Sequence, residues 1–187
     1  MVTTPTSLLV RLRSPSDQAA WERFVRLYTP VLYGWIRRQG IDSQDATDLV
    51  QDVFATTIAV LPTFEYDRNR GFGNWLCTIT TNKCRDFFRR AAVRRTEMLL
   101  DHPASNPDPA LAFTENEYRT QVARQALELM QAEFEPTTWR ACFEMVVEGR
   151  RAQEVAARLN LSTNAVYLAK SRVLRRLRQE LAGLVDD

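Results

Sequence analysis

The chain has 187 residues, of which 45% are hydrophobic and 26% are charged, values typical of a folded globular protein with one large domain or two small ones. No apolar run approaches the ~20 residues that a membrane span requires, and residues 8–10 are too short a run for a signal-peptide core. We therefore expect a cytoplasmic protein that does not bind a membrane. The formal net charge of +2 conceals separate acidic and basic segments.

The first periodic segment begins after residues 14–17, whose capping residues and proline are typical of a helix start. Apolar residues then recur at helical spacing from Trp21 to Ile36. We expect Pro30 to kink or split this helix and Gly40 to end it. Such periodicity recurs along the chain, which has only six glycines and no alternating β-type run, and it predicts an all-α protein.

A second helix is expected to be capped by Ser43 and to stop at Pro62. Its predicted apolar stripe consists of Ala46, Leu49, Val50, Val53 and Ile58. Three aspartates occupy a different face: Asp45, Asp48 and Asp52. Residues 41–67 contain six acidic residues and no lysine or arginine, so this face either stays solvated or meets a basic protein surface.

Residues 63–73 form a predicted loop that is rich in aromatic and charged side chains. The helix after this loop is expected to turn one side partly inward: Trp75, Leu76, Ile79, Cys84, Phe87 and Phe88. Its other side is mostly polar: Asn74, Thr78, Thr81, Asn82, Arg85 and Arg89. Residues 85–95 hold five arginines against Asp86, which is expected to orient them. We expect Phe72 and Trp75 to belong to the core.

Residues 92–113 lose this periodicity and contain three prolines, so we predict a flexible linker between domains at residues 1–91 and 114–187. Beyond it, the apolar face of one helix consists of Tyr118, Val122, Ala126 and Leu129. The next helix is expected to open at Pro136 and to end at Gly149. Its predicted inward residues are Trp139, Phe143, Val146 and Val147.

The last two segments, residues 152–159 and 163–181, have the pattern of a helix-turn-helix, whose second helix enters the major groove of DNA. Ala156 is small where the helices approach, and Asn160 tolerates the left-handed conformation of the turn. Leu161 is expected to fill the turn and Ser162 to cap the second helix. Residues 149–178 contain eight basic residues and one acidic residue, and this bias favours DNA binding over a merely solvated face. The residues expected to attract phosphates along the second helix are Arg172, Arg175, Arg176 and Arg178.

Two stretches resemble domains of sigma-70 family factors. EVAARLNLSTNAVYLAKSRVLRRLRQEL resembles their −35-reading domain, and DATDLVQDVFATTIAVLPTFEYDRNRGFGNWLCTITTNKCRDFFRR resembles their −10-reading domain. Their order, the linker and the short length resemble the extracytoplasmic-function (ECF) type, over about residues 21–181. The resemblance implies a protein that binds core RNA polymerase and reads promoter −35 and −10 elements, with neither catalysis nor a cofactor.

The resemblance also implies roles for individual residues. Those implied to contact the −35 duplex are Ser162, Thr163, Asn164, Tyr167, Lys170, Ser171, Arg172 and Arg175. Those implied to hold a flipped −10 base and the melting strand are Phe64, Tyr66, Arg68, Asn69, Arg70, Asn74, Thr78, Asn82, Arg85 and Arg89. Those implied to dock on the clamp helices of the polymerase β′ subunit are Asp45, Asp48, Gln51 and Asp52. The β flap and an anti-sigma factor are the other partners that the family implies.

Three other functions compete with this interpretation. A two-component or quorum-type regulator also uses a helix-turn-helix, but the N-terminal half lacks the β/α alternation of a receiver domain. A helical enzyme needs a catalytic or metal constellation, and Cys77, Cys84 and Cys142 lack C-x-x-C spacing while His102 is the sole histidine. We therefore expect three buried, reduced thiols and no metal site. A structural adaptor does not explain two basic segments.

Overall fold

The computed structural model describes residues 7–63, 71–97 and 114–185, and over these residues the protein is all-α, which confirms the predicted fold class. Its helices are α1 (Leu8–Leu12), α2 (Gln18–Arg38), α3 (Ser43–Val60), α4 (Phe72–Glu97), α5 (Glu115–Met130), α6 (Pro136–Val146), α7 (Ala152–Leu159) and α8 (Thr163–Leu181). Short 3₁₀ turns cover Leu61–Thr63 and Gln131–Glu133. Across these described ranges, no helix combines the length and the apolar character that crossing a membrane requires.

Helix α2 begins at its cap Asp17, whose carboxylate accepts a hydrogen bond from the Ala20 amide. The Arg11 guanidinium donates to the same carboxylate at 2.9 Å and, as the main cause, holds the pKa of Asp17 below its usual range. The helix then runs unbroken through Pro30, so the predicted split is wrong. Proline removes the N–H that would bond the carbonyl of Arg26. Both residues are exposed, and water can hydrate that carbonyl without ending the helix.

The cap of α3 is Asp42 rather than Ser43, which is already the first helical residue. The Asp42 carboxylate accepts hydrogen bonds from the amides of Gln44 and Asp45, each at 2.9 Å. The Asp45 amide contributes most to lowering the pKa of Asp42. A carboxylate suits this position because it also interacts favourably with the helix dipole.

The inward stripe of α3 ends at Thr57 instead of the predicted Ile58, which is 46% exposed. Thr57 lies four residues after Val53, on the same buried face, whereas Ile58 is rotated a further ~100° toward solvent. The buried Thr57 hydroxyl donates to the Val53 carbonyl at 2.8 Å, which removes the cost of burying it without a partner.

Helix α4 continues to Glu97, so residues 92–97 are helical where the predicted linker begins. Alanine, arginine and glutamate favour helices, and the sequence contains neither glycine nor proline between Gly73 and Pro103. Nothing local therefore ends the helix at residue 92. Residues 98–113 of the predicted linker lie outside the described residues.

The largest hydrophobic core lies mainly in the N-terminal half, where Phe24, Tyr28 and Phe72 contact one another edge-on or at a tilt. Residues of α5 and of the chain end belong to the same core: Tyr118, Val122, Ala126, Leu181 and Leu184. The segments predicted as two separate domains thus share one core in this structure.

Helix α6 packs against both α7 and α8, and its buried residues are Trp139, Ala141, Cys142 and Glu144. This face is rotated from the predicted one. Val146 and Val147 are exposed instead of inward, because the face that α7 and α8 cover passes through Ala141 and Glu144.

Candidate DNA and polymerase interfaces

The turn between α7 and α8 has the conformation that the sequence predicts. Asn160 adopts φ 53° and ψ 47°, the left-handed region that asparagine tolerates better than most residues. The Ser162 side chain accepts a hydrogen bond from the Ala165 amide at 3.1 Å and caps α8. Val155 and Val166 are fully buried between the two helices, which fixes the direction of α8 relative to α7.

A buried carboxylate joins α7 to α6. Glu144 is 2% exposed, and its Oε1 atom accepts from Arg140 at 3.2 Å and from Arg158 at 3.4 Å. Helix α6 ends at Val146 with Val147 as its C-cap, before the predicted Gly149, whose φ of +68° lies in the region that favours glycine and turns the chain toward α7. The Arg150 amide there donates to the Glu144 carbonyl at 3.0 Å. Glu144 thus ties α7 to α6 and helps to fix the orientation of the α7–α8 pair relative to α6.

The beginning of α8 presents the predicted −35-reading residues on an accessible face. Thr163 and Lys170 are half-buried, and the others of that set are exposed: Ser162, Asn164, Tyr167, Ser171, Arg172 and Arg175. Sequence reasoning missed Leu168, which is 49% exposed beside Tyr167. The sequence could have indicated its exposure, because Leu168 falls outside the apolar stripe formed by Val166, Ala169 and Val173.

A second polar face runs along α4. The predicted −10-contacting residues Asn74, Thr78, Asn82, Arg85 and Arg89 are all exposed and recur at intervals of three or four residues, so they share one side of the helix. Asp86 accepts from Arg89 at 3.0 Å, which agrees with its predicted orienting role. Phe72 is fully buried and Trp75 half-buried, so the core assignment is confirmed for Phe72. The predicted loop residues Phe64, Tyr66, Arg68, Asn69 and Arg70 lie outside the described residues.

The acidic residues of α3 occupy a third accessible face. Asp48, Gln51 and Asp52 are exposed, and Asp45 is half-buried. Asp48 and Asp52 form no ion pair with any residue that the structure describes. Their charge is therefore available to a molecule outside the chain. We call Asp45, Asp48, Gln51 and Asp52 the acidic face.

Comparison with known proteins identifies the family. The Sigma-70 region 2 family matches residues 24–94, which include the acidic face and most of α4. The ECF RNA polymerase sigma factor SigD of Mycobacterium tuberculosis is 30% identical over 163 residues, which cover 85% of this chain and 72% of that protein. The chain belongs to the ECF sigma factors. RpoE, an ECF RNA polymerase sigma factor of Cereibacter sphaeroides, is 27% identical over 177 residues, or 94% of each chain.

As an ECF sigma factor, the chain directs promoter-specific transcription initiation by RNA polymerase. The basic residues of this sigma factor near α8 divide into two groups. Arg150, Arg158 and Arg176 form ion pairs with glutamates of the same chain. The other five make no ion pair with any described residue: Arg151, Lys170, Arg172, Arg175 and Arg178. Intramolecular pairing thus removes three of the eight cations that the sequence offers for DNA.

The three cysteines of the sigma factor are free thiols. Cys84 and Cys142 are buried, as predicted, whereas Cys77 is half-buried. Burial raises the pKa of Cys77 and of Cys84 to about 11, which keeps both thiols protonated and unreactive near neutral pH. Within the described ranges, no group of three potential ligands could hold a metal ion.

Proposed function

We propose that this sigma factor divides promoter recognition between two of its faces and docks on polymerase through a third. The observation that carries this proposal is that the three faces lie on three different helices. The start of α8 and the polar face of α4 present exposed polar and cationic side chains, and the acidic face of α3 presents carboxylates. Opposite charge on separate helices suits one partner rich in phosphate and another that is basic.

The start of α8 is proposed to read the −35 duplex from the major groove. The N-terminal residues of a recognition helix meet base edges, which supports a role for Asn164 and Tyr167 in direct readout. Arg172 and Arg175, further along the helix, have no acidic partner among the described residues and can neutralise phosphates. Half-buried Lys170 lies between the two groups, and its ammonium reaches either a base edge or a phosphate.

The exposed face of α4 is proposed to contact the −10 element as it melts. Arg85 and Arg89 supply cations that hold the strand, and Asn74, Thr78 and Asn82 supply hydrogen-bonding groups on the same side. The aromatic and charged residues 64–70 that precede α4 are proposed to enclose an unpaired base, which offsets the few kcal/mol that extracting a base costs.

The acidic face is proposed to bind the clamp helices of the polymerase β′ subunit. Phosphates repel an acidic surface, whereas a basic protein surface attracts it and gains from its exposed carboxylates. The C-terminal half is proposed to contact the β flap. In this mechanism the sigma factor binds and positions the promoter, and RNA synthesis is the work of the polymerase.

The test is to mix the purified full chain with bacterial core RNA polymerase, isolate the complex, and transcribe a genomic promoter library. We expect stoichiometric binding and new start sites that depend on the factor and share sequence elements near −35 and −10. Duplex DNA binding without polymerase binding would instead indicate an ordinary helix-turn-helix regulator.

The roles of the faces are separated by two matched variants in the same assay. Asp48→Arg with Asp52→Arg should reduce polymerase binding, whereas Asn164→Ala should leave polymerase binding intact and alter the −35 sequences selected. If both variants bind polymerase and select start sites as the unaltered chain does, the assignment of these faces is wrong.

A further inference from the structure

A buried hydrogen-bond chain connects the two halves of the molecule. The Tyr118 hydroxyl, on α5, donates to the carbonyl of Leu184 at 3.0 Å. With its proton used there, it accepts from the Tyr28 hydroxyl of α2 at 2.7 Å. All three groups are buried, and Tyr118 and Leu184 both belong to the C-terminal half, so separating the halves would break the bond from Tyr28 within the core.

A ring of four charged side chains also joins the two halves. Arg23 of α2 pairs with Glu133 at 2.6 Å and also with Glu180. Arg176 of α8 pairs with the same two carboxylates, at 3.1 Å to Glu133 and 2.8 Å to Glu180. Positive and negative groups therefore alternate around the ring, and Glu180 is only 4% exposed. The ring ties α2 to both α8 and the turn after α5.

Two glycines allow the halves to approach closely. A Cβ atom on Gly73, at the start of α4, would lie 2.5 Å from Cε1 of Tyr118. A Cβ atom on Gly183, which has φ +82°, would lie 2.8 Å from Cδ2 of Leu9 in α1. Both contacts cross the boundary between the halves, so the two halves pack closely from Tyr118 to Gly183.

In this closed arrangement the protein is too short to span the distance between the −35 and −10 elements of a promoter. The interval between positions −35 and −10 extends about 85 Å at about 3.4 Å per base pair. A compact chain of this length has a radius of gyration of about 16 Å and hence a diameter of about 40 Å. The faces of α8 and α4 can reach the two elements only when the halves separate.

We propose that the Tyr28–Tyr118 hydrogen bond, which the Leu184 carbonyl orients, and the Arg23–Glu133–Arg176–Glu180 ring form an interdomain latch. The latch holds the free factor closed and opens before the factor spans a promoter. It rests on the proposed function, because only a factor that reads both elements needs to open. The acidic face stays exposed while the latch is closed, so polymerase can bind first and promoter DNA second.

A reversible lock tests the proposal directly. The Nη1 atom of Arg38 lies 3.7 Å from Oε1 of Glu117, and both side chains are nearly half exposed. Arg38→Cys with Glu117→Cys, in a Cys77→Ser background, gives two accessible thiols that a short bismaleimide with a reducible centre can join. The matched control is the same protein after the centre of the cross-linker has been reduced, which frees the two cysteines from each other.

We expect the locked factor to bind core polymerase but to give at least about tenfold less run-off RNA than after reduction, since DNA binding falls with the population of the open form. Equal run-off from locked and reduced protein would overturn the latch. No run-off from the reduced form or from the unaltered chain would overturn the proposed function, and the role of the latch with it.

A second test opens the latch in the free full chain. Arg23→Glu places a third carboxylate beside Glu133 and Glu180, and X-ray scattering should show a larger radius of gyration. Arg26→Glu, on the same helix, is the matched control and should keep the original radius. If Arg23→Glu loses its helical circular dichroism, Tyr118→Phe replaces it. A folded variant that stays as compact as the control contradicts the proposal.

Discussion

The acidic face of α3 and the C-terminal end of α8 both carry charges, but they use them differently. Asp48 and Asp52 are exposed and form no ion pair within the described part of the chain, whereas Glu180 is buried between Arg23 and Arg176. The first arrangement contributes little to folding and leaves charge for a partner. The second holds two segments of the same chain together. In the proposals above, similar residue types on two helices therefore serve recognition in one place and closure in the other.

The largest effect that separates the two regions should be on stability. Glu180→Ala is expected to lower the free energy of unfolding by about 3 kcal/mol, because it leaves two partly buried arginines with one carboxylate between them. Asp48→Ala should change the same quantity by no more than about 0.5 kcal/mol. Urea unfolding followed by circular dichroism measures both. Equal effects of the two substitutions would show that the charges are not used differently.

The next effect should be on polymerase binding. Asp48→Arg with Asp52→Arg is expected to weaken binding to core polymerase by about 2 kcal/mol, roughly 30-fold, because it places like charge against a basic surface. Glu22→Arg on α2 is the control, since Glu22 is exposed but lies outside the acidic face. Titration of labelled factor with core polymerase gives the affinities. If the control weakens binding as much, net charge and not the acidic face determines affinity.

A smaller effect should distinguish base contacts from phosphate contacts on α8. Asn164→Ala is expected to weaken binding to the preferred −35 duplex by about 1–2 kcal/mol and to relax its preference at one base pair. Arg172→Ala should instead weaken binding to all sequences alike. Competition among duplexes that differ by single base pairs measures both. Were Asn164→Ala to leave every preference unchanged, Asn164 would be removed from the readout.

The smallest effect should separate two neighbouring arginines. Arg175→Ala is expected to reduce the salt dependence of duplex binding by about 0.9 in the log–log slope, the value for one lost phosphate contact. Arg176→Ala should leave that slope unchanged in the free factor, because Arg176 is paired with Glu133 and Glu180. Binding isotherms at several salt concentrations measure both slopes. If Arg176→Ala lowered the slope and Arg175→Ala did not, Arg176 rather than Arg175 would be the residue that contacts a phosphate.

This pair of arginines shows where sequence reasoning stops. Features that depend on a few adjacent residues are predictable, and the left-handed Asn160 and the capping Ser162 are both as expected. Arg175 and Arg176, in contrast, are identical in type and adjacent in sequence. What distinguishes them is that Glu133, 43 positions earlier than Arg176, lies beside only one of them. No local pattern contains that information.

The same reason accounts for the elements that the sequence did not predict. Helix α1 has only five residues, too few for a periodic pattern, and it is stabilised by burying Leu8 and Leu12 in the main core. The shared core of the two halves depends on contacts such as that of Tyr28 with Tyr118, which are 90 positions apart. Composition and periodicity identified most of the helices but did not show that the halves would pack together.

The close approach of Gly73 to Tyr118 has a consequence for how relatives of this chain diverge. The ring of Tyr118 is held in place by its two hydrogen bonds and cannot move aside for a methyl group at position 73. Substitutions at these positions should therefore covary. A relative that closes in the same way should keep glycine where its counterpart of Tyr118 is aromatic, and should admit a larger residue only where that ring has been lost. Relatives with a side chain at position 73 and an aromatic ring at position 118 would then be those that have given up the closed state during evolution.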